Sequence, residues 1–281
     1  DSSFIPQYIE SNYMDWKTQP NLELYVDFEM TCGVLNDIDD IDNNNTDSYI
    51  FMIGVGHINH DGEWVYKDFT AEKLNPASEA EVCNDFINYV RDLSEYYGEK
   101  QPKLFHWSHA EPSAWNRAMR RHYSYDWVNL KWFDLLKLFH TEPIGIKGAL
   151  NYSLKTVARA MASHGFINTL WDESSSCING ADAALGAHRV YQELHKTGQS
   201  VDNDPQIQEI IKYNEVDCKV LYEIIDYLRQ YRIDPNDIPY DDDWSEDITF
   251  SDGNIGFSEY GNNPSEEDSL YEPSFESDET Y

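Results

Sequence analysis

The chain has 281 residues, 41% of them hydrophobic and 14% aromatic, which is enough for one large domain or two small ones with a proper core. Its 52 Asp and Glu residues outnumber its 20 Lys and Arg residues, and the resulting net charge of −32 argues against sequence-blind binding of nucleic acid by the whole surface. Because there is no long apolar run, visible signal peptide or Cys-x-x-Cys pair, we expect an intracellular protein of the cytoplasm, nucleoid or nucleus, with no membrane partner and no zinc ribbon or iron–sulfur site.

The first part of the chain shows mainly strand patterns. Residues 1–21 are polar with scattered aromatic side chains, and we expect them to be a lead-in linker from an upstream part of a longer protein. Apolar and β-branched runs predict strands over four segments: 22–30, 49–59, 64–70 and 104–107. The turn at 60–63 predicts that the second and third form a hairpin, and the Asn- and Asp-rich stretch 32–48 predicts a loop.

Helical periodicity dominates the rest of the folded part. Apolar residues three and four apart predict helices over five segments: 78–97, 112–121, about 153–161, 181–196 and 206–230. Either Asn151 or Ser153 could cap the third of these helices. The apolar run 132–139 fits a strand or a helix, and the sequence does not decide between them.

The composition changes after residue 235. Residues 236–281 contain 15 acidic residues and no Lys or Arg, and their apolar periodicity is lost. This pattern predicts a solvated, flexible acidic tail. We therefore expect one folded domain over 22–235; the chain up to residue 235 holds 37 acidic and 20 basic residues.

Two carboxylates interrupt the first predicted strand. Asp27 and Glu29 are two residues apart, so in a strand they point to the same face. Like charges held close together repel, and either a shared proton or a divalent cation relieves the repulsion; oxygen ligands of this kind suit Mg²⁺ or Mn²⁺. The competing interpretation, which this pair alone does not exclude, places both on the solvent face of a half-exposed strand.

A second pair lies in the last predicted helix. Tyr213 and Asp217 are four residues apart and therefore share one face, beside an apolar stripe that packs the helix down. Glu215 points to another face, and we expect it to be solvated. Taken together with Asp27 and Glu29, the pair favours a chemical role over a boundary Tyr and an exposed Asp.

Positive charge is concentrated in one stretch of an otherwise acidic chain. Residues 103–159 carry nine Lys or Arg residues against four acids, with four tryptophans interleaved. Cations interleaved with aromatic rings are typical of a groove for single-stranded nucleic acid, although a solvated basic face with core tryptophans gives the same pattern.

The order of these motifs resembles that of the DEDD exonucleases, of the Tyr type, in the ribonuclease-H-like superfamily. The motifs are the strand with Asp27 and Glu29, the strand followed by Glu111, and the helix with Tyr213 and Asp217. The chain is most similar to the ribonuclease-H-like domain associated with predicted RecB-family nucleases. This resemblance implies an α/β fold with a mixed central sheet flanked by helices, and a metal-dependent 3′–5′ exonuclease that acts on single-stranded DNA or RNA ends.

The resemblance also implies roles for individual residues in a two-metal mechanism. Asp27 would bridge two Mg²⁺ or Mn²⁺ ions, Glu29 and Asp217 would complete one site, and Glu111 would hold the second ion. Tyr213 would orient the attacking water. Candidate substrate-binding residues are Lys155, Arg117, Arg120, Arg121 and Trp107. DEDD enzymes usually have Asp where this chain has Glu111, and Asp134 is the alternative; His106 and His109 lie near the same turn and fit a structural role better.

Two other functions remain open at this point. A nuclease-derived binding or scaffold domain of a larger nucleic-acid-processing protein would retain the fold without activity, and the strong acidity agrees with that. Alternatively, the acidic tail could mimic nucleic acid and occupy the basic groove, which would restrain activity.

Overall fold

A mixed five-stranded sheet forms the centre of the computed structural model, which describes residues 3–31, 48–177, 179–198, 200–201 and 204–237. The strands in this part of the chain are β1 Phe4–Ile5, β2 Glu23–Met30, β3 Ile50–Ile58, β4 Trp64–Thr70, β5 Lys103–His106, β6 Lys131–Asp134 and β7 Gly145–Ile146. The central sheet has the order β4-β3-β2-β5-β6. Strands β2, β3 and β4 pair antiparallel, whereas β5 pairs parallel with both β2 and β6.

The hairpin β3–β4 explains how the antiparallel half forms. The side chain of Asn59 accepts hydrogen bonds from the backbone of Asp61 and Glu63, both at 2.9 Å, and Gly62 has a φ of 79°. Glycine adopts this left-handed backbone conformation at little steric cost, because it has no Cβ. The predicted hairpin is therefore confirmed, with the turn where the sequence placed it.

Helices cover both faces of the sheet. They are α1 Pro76–Tyr97, α2 Ala110–Arg121, α3 Leu135–Thr141, α4 Leu154–Ser163, α5 Gly180–Thr197 and α6 Pro205–Tyr231. Side-chain caps begin several of them: Asn75 accepts from Ser78 N at α1, and Ser153 accepts from Thr156 N at α4. Ser153 rather than Asn151 is therefore the cap that the sequence left undecided.

Alternation along β2 separates two hydrophobic cores. Leu24, Val26 and Phe28 pack on one face in a core that includes α1, α2 and α5. Tyr25 points to the other face and joins a core that includes α3, α4 and most of α6. The observed fold is the predicted α/β fold with a mixed central sheet flanked by helices. Helix α6 lies on the face to which Asp27 and Glu29 point.

The structure decides one segment that the sequence left open and corrects the prediction for another. The run 132–139 contains both a strand and a helix, because β6 ends at Asp134 and α3 begins at Leu135.

Residues 3–21, expected to be a linker, pack on the domain. Phe4, Ile9 and Trp16 are at most 1% exposed, and β1 pairs with β7. Burial of these large apolar side chains favours an ordered segment over a solvated one.

Several other predictions fall on parts of the chain outside this description. Residues 32–47 and 238–281, which include most of the predicted loop and of the acidic tail, lie outside the described residues. All described residues belong to one compact unit, Asp1–Pro239. None of the described helices is long and apolar enough to cross a membrane. The described cysteines, Cys83, Cys177 and Cys218, are buried free thiols.

Candidate metal centre

Three carboxyl groups from two elements meet beside the middle of β2. Asp27 and Glu29 project from one face of this strand, and Asp217 projects toward them from α6. One carboxylate oxygen from each of the three lies within 4.8 Å of the other two. Glu29 and Asp217 are 4% and 5% exposed. The structure therefore brings together the Asp27–Glu29 pair and the C-terminal acid, which are almost 200 residues apart in sequence.

Glu111 lies next to this group of three. It is in the first turn of α2, directly after β5 and a turn in which Ser108 has a φ of 75°. Its side chain is buried, and its charge raises the pKa of Asp27. The His106 imidazole lies beside it, with Nδ1 3.5 Å from Glu111 Oε2. His106 is therefore buried and contacts the cluster at Glu111.

Asp134, the alternative to Glu111, has a different position. It is the N-cap of α3, where it accepts a hydrogen bond from Lys137 N at 3.4 Å. It also accepts one from Ser108 N at 3.0 Å. Because its carboxylate is engaged by backbone N–H groups of α3 and of the turn after β5, these contacts favour Glu111 as the fourth acid of the cluster.

Burial and mutual repulsion raise the pKa values of Asp27, Glu29 and Asp217. Burial, followed by repulsion from Asp217, raises the pKa of Glu29 to about 8, with partial compensation by hydrogen bonding from Asn214. Burial also raises the pKa of Asp217 to about 7, although the Lys155 ammonium opposes this shift. The pKa of Asp27 is raised well above its usual range, again first by burial and then by Asp217 and Glu29. Ionisation of all these acids at neutral pH therefore calls for a nearby cation.

The oxygen atoms of the cluster fit a divalent metal ion. Glu29 Oε1 and Glu111 Oε2 are buried and have no hydrogen-bond partner among the described residues. A buried carboxylate oxygen without a partner is costly, and a bound cation would satisfy it. The donor set consists of carboxylate oxygens alone, which suits Mg²⁺ or Mn²⁺ better than zinc or copper.

Tyr213 and Lys155 complete one side of the cluster. The Tyr213 hydroxyl is hydrogen-bonded to Asp217, and burial together with the carboxylates raises the pKa of this phenol. It therefore stays protonated and acts as a donor. Lys155 on α4 lies over the Tyr213 ring at 4.5 Å and over the Trp171 ring at 5.2 Å. Burial lowers the pKa of this lysine, and Asp217 partly offsets the effect.

One residue of the site was not predicted from the sequence. Asn214 is fully buried, and its Nδ2 donates to Asp27 Oδ2 at 2.8 Å and to the Asp27 carbonyl at 3.1 Å. Its Oδ1 accepts from the Tyr66 hydroxyl at 2.9 Å. The signals that could have indicated it are an Asn inside a helix that is otherwise apolar on that side, and Gly54 in the middle of the buried strand β3.

The comparisons with known proteins agree with this geometry. The family model RNase_H_2, described as RNase_H superfamily, matches residues 37–229, which is more than half of the chain. The chain belongs to the RNase H superfamily. The match includes Glu111, Tyr213 and Asp217 and begins after Asp27 and Glu29. No curated protein matches the chain. The RNase H superfamily fold is of the nuclease type, and its nucleases usually depend on divalent metals and act on nucleic acid.

The predicted substrate-binding residues of this RNase H-like domain lie at different distances from the acids. Lys155 is at the cluster, and Arg117 lies near the end of β2, where its Nη2 is 3.6 Å from Met30 Sδ. Arg120 is exposed on α2. Trp107 is half-buried, since its indole donates to Tyr152 O at 2.9 Å and its ring packs on Phe139.

Arg121 has a structural partner instead. It forms an ion pair with Glu79, which is 1% exposed, and its guanidinium lies over the Tyr49 ring at 4.5 Å. A guanidinium already paired with a buried carboxylate has fewer donors left for a phosphate. Its predicted role in substrate binding remains a prediction, and the contacts favour a role in holding α2 to α1.

Two other side chains near the motifs can now be placed. Glu215, expected to be solvated, is half-buried and accepts a hydrogen bond from the Trp64 indole at 3.1 Å. The aromatic residues of β4 lie against α6, which explains this difference. His109 precedes α2 without capping it, and its Nδ1 is 3.0 Å from the Ser108 hydroxyl.

Proposed function

We propose that the chain is a metal-dependent 3′–5′ exonuclease that hydrolyses phosphodiester bonds at single-stranded ends of DNA or RNA. It would be a DEDD enzyme of the Tyr type, similar to the RNase-H-like domains associated with predicted RecB-family nucleases. The observation that carries the proposal is the convergence of oxygens from Asp27, Glu29 and Asp217 within 4.8 Å, with Glu111 beside them. Four acids from three separate elements meet in an otherwise buried environment, which is costly without a cation.

The four acids would hold a pair of divalent ions. Asp27 would be shared by both ions, Glu29 and Asp217 would help to hold the first, and Glu111 would help to hold the second. When bound, the ions would activate water and neutralise charge on the phosphate oxygens. Glu29 Oε1 has no hydrogen-bond partner among the described residues, and Glu111 Oε2 has only the His106 imidazole 3.5 Å away. Both oxygens would gain an ionic partner, which supports this assignment.

Two neutral or cationic groups would act on the substrate directly. The Tyr213 hydroxyl, kept protonated by its surroundings, would orient the attacking water by hydrogen bonding. Lys155 is placed to attract a phosphate beside Asp217, because its ammonium group lies between two aromatic rings at the same edge. Arg117, Arg120 and Trp107 would contact the strand farther from the acids.

The proposal also assigns domain boundaries along the chain. We propose residues 22–235 as the exonuclease domain, with residues 3–21 packed on it and residues 236–281 as an acidic tail. The basic stretch 103–159 would face a single strand and concentrate it at the site by charge.

Cleavage of end-labelled oligonucleotides tests the proposal. Single-stranded DNA and RNA labelled at the 5′ end should give a ladder of shortening fragments with Mg²⁺ or Mn²⁺, and none with EDTA. Asp27→Ala should lower the rate by at least about a thousandfold, because it removes the shared ligand. Asp134→Asn is the matched control, since an amide oxygen still caps α3 and the rate should stay close to that of the wild type.

Other results would contradict parts of the proposal. Equal cleavage by Asp27→Ala and wild type would assign the activity elsewhere. Release of the labelled 5′ nucleotide in the first turnovers would reverse the polarity. If calorimetry with Mn²⁺ detects no binding and no substrate is cleaved, the domain is the inactive binding or scaffold module instead.

A further inference from the structure

A hydrogen-bonded chain of three residues stands behind the acid cluster. Tyr66 on β4 donates to Asn214 on α6, and Asn214 donates to Asp27 on β2. We infer that Asn214, anchored by Tyr66, is a positioning residue that fixes the Asp27 carboxylate for metal binding. The inference rests on the proposed function, because it assigns the support of the same site.

The contacts leave the Asn214 amide one orientation. Its Nδ2 donates to two oxygens of Asp27, the backbone carbonyl and Oδ2, and Asn214 also hydrogen-bonds to the Glu29 carboxylate. A flipped amide would place its oxygen against both of these oxygens, which is unfavourable. The Tyr66 hydroxyl meets the opposite end of the amide and donates to Oδ1. Both ends of the amide are therefore fixed.

Gly54 provides the space that this arrangement requires. It pairs with Asp27 across the antiparallel strands β2 and β3. A Cβ at this position would lie 1.6 Å from Asn214 Oδ1 and 2.7 Å from the Tyr66 hydroxyl. A side chain at residue 54 would therefore displace the amide, so the strand opposite Asp27 is shaped around Asn214.

The bond to Asp27 has a specific consequence for a metal ligand. Nδ2 engages Oδ2 and the backbone carbonyl of the same residue, which restricts rotation of the Asp27 side chain. Oδ1 remains outside this hydrogen-bonded chain. An amide also supplies the donor without adding charge to four clustered acids. Outer groups that orient a ligand in this way typically change metal affinity by about 10- to 100-fold when removed.

Calorimetric titration with Mn²⁺ tests the inference on two variants. Asn214→Leu removes the donor at similar volume, and Tyr66→Phe removes only the anchoring hydroxyl. We expect about a 10- to 100-fold loss of Mn²⁺ affinity for the first and a smaller loss in the same direction for the second. Glu215→Gln is the control on the same helix, because its amide oxygen still accepts from Trp64, and its Mn²⁺ affinity should not change.

Kinetics distinguish positioning from a general structural effect. At low Mn²⁺ the kcat of both variants should fall while the KM for the oligonucleotide stays unchanged, and excess Mn²⁺ should restore kcat. Wild-type affinity in both folded variants would overturn the inference alone, as would a loss of kcat that Mn²⁺ does not restore. If the wild type itself binds no Mn²⁺, the proposed function fails and this inference fails with it.

Discussion

At the scale of single residues, sequence periodicity was sufficient to predict which acidic side chains share a face, but not to predict Asn214, which hydrogen-bonds to Asp27. A spacing of two on a strand and of four on a helix predicted that Asp27 and Glu29, and Tyr213 and Asp217, would share faces, and the structure shows both pairs at one site. Asn214 was missed because its role depends on what lies opposite it in space. No pattern along the chain indicates that Gly54 leaves room for it.

The raised pKa values of the acids predict an unusual pH dependence of stability. The pKa is about 8 for Glu29 and about 7 for Asp217, against about 4 in an unfolded chain. Between pH 4 and 8 the folded state therefore binds more protons, so the free energy of unfolding falls as pH rises, by up to about 1.4 kcal/mol per pH unit for each excess proton. Urea unfolding in EDTA from pH 5 to 8 measures this.

Two comparisons separate the contribution of the acid cluster to this pH dependence from that of the other charged residues. Glu29→Gln resembles the protonated acid, so it should show a smaller loss of stability on going from pH 5 to 8. Saturating Mg²⁺ should also reduce the loss in the wild type, because bound cations favour the ionised acids. An identical pH dependence in wild type and variant, with and without Mg²⁺, would contradict the assignment.

At the scale of elements, α6 connects the two cores and carries three residues of the site. Its N-terminal half belongs to the same core as α1 and α5, and its C-terminal half to the same core as α3 and α4. The prediction of this helix was accurate to one residue at each end, since Pro205 and Asp204 are strong start signals. Segment 132–139 was undecidable because it changes from strand to helix within the window that periodicity needs.

The contact between α1 and α2 gives a prediction at this scale. Glu79 is buried, accepts from Ile50 N at 2.8 Å, and pairs with Arg121 and His122. Arg121→Met should lower the free energy of unfolding by about 3 kcal/mol, because it leaves a buried carboxylate with a weaker partner. Arg120→Met, on the exposed side of α2, should change it by less than about 0.5 kcal/mol. Equal effects in urea unfolding would favour a substrate role for Arg121 over this structural one.

At the scale of the whole molecule, the N-terminal segment was the main misjudgement. Its polar composition resembles a linker, but three widely spaced apolar side chains, Phe4, Ile9 and Trp16, are buried. Ile9 N donates to Arg232 O at 2.8 Å, and Arg229 Nε donates to Trp16 O at the same distance. Spacing of this kind has neither a helical nor a strand period, so no sequence pattern could reveal it.

Truncation of Trp16 tests whether this segment is part of the folded unit. Trp16→Ala should lower the free energy of unfolding by about 3–5 kcal/mol, since it removes a fully buried indole. Met14→Ala is the neighbouring control, at 37% exposure, and should have a much smaller effect. Thermal or urea unfolding measures both, and equal small losses would mean that residues 3–21 contribute little to stability.

The buried cysteine thiols can be used to measure transient local opening of the domain. Cys177 is 1% exposed beside the acids, and burial raises the pKa of its thiol to about 12, so very little reactive thiolate exists at neutral pH. A water-soluble thiol reagent can modify it only during transient local opening. In a Cys32→Ser background, the labelling rates at Cys83, Cys177 and Cys218 would then compare local opening at two sites of one core and one site of the other.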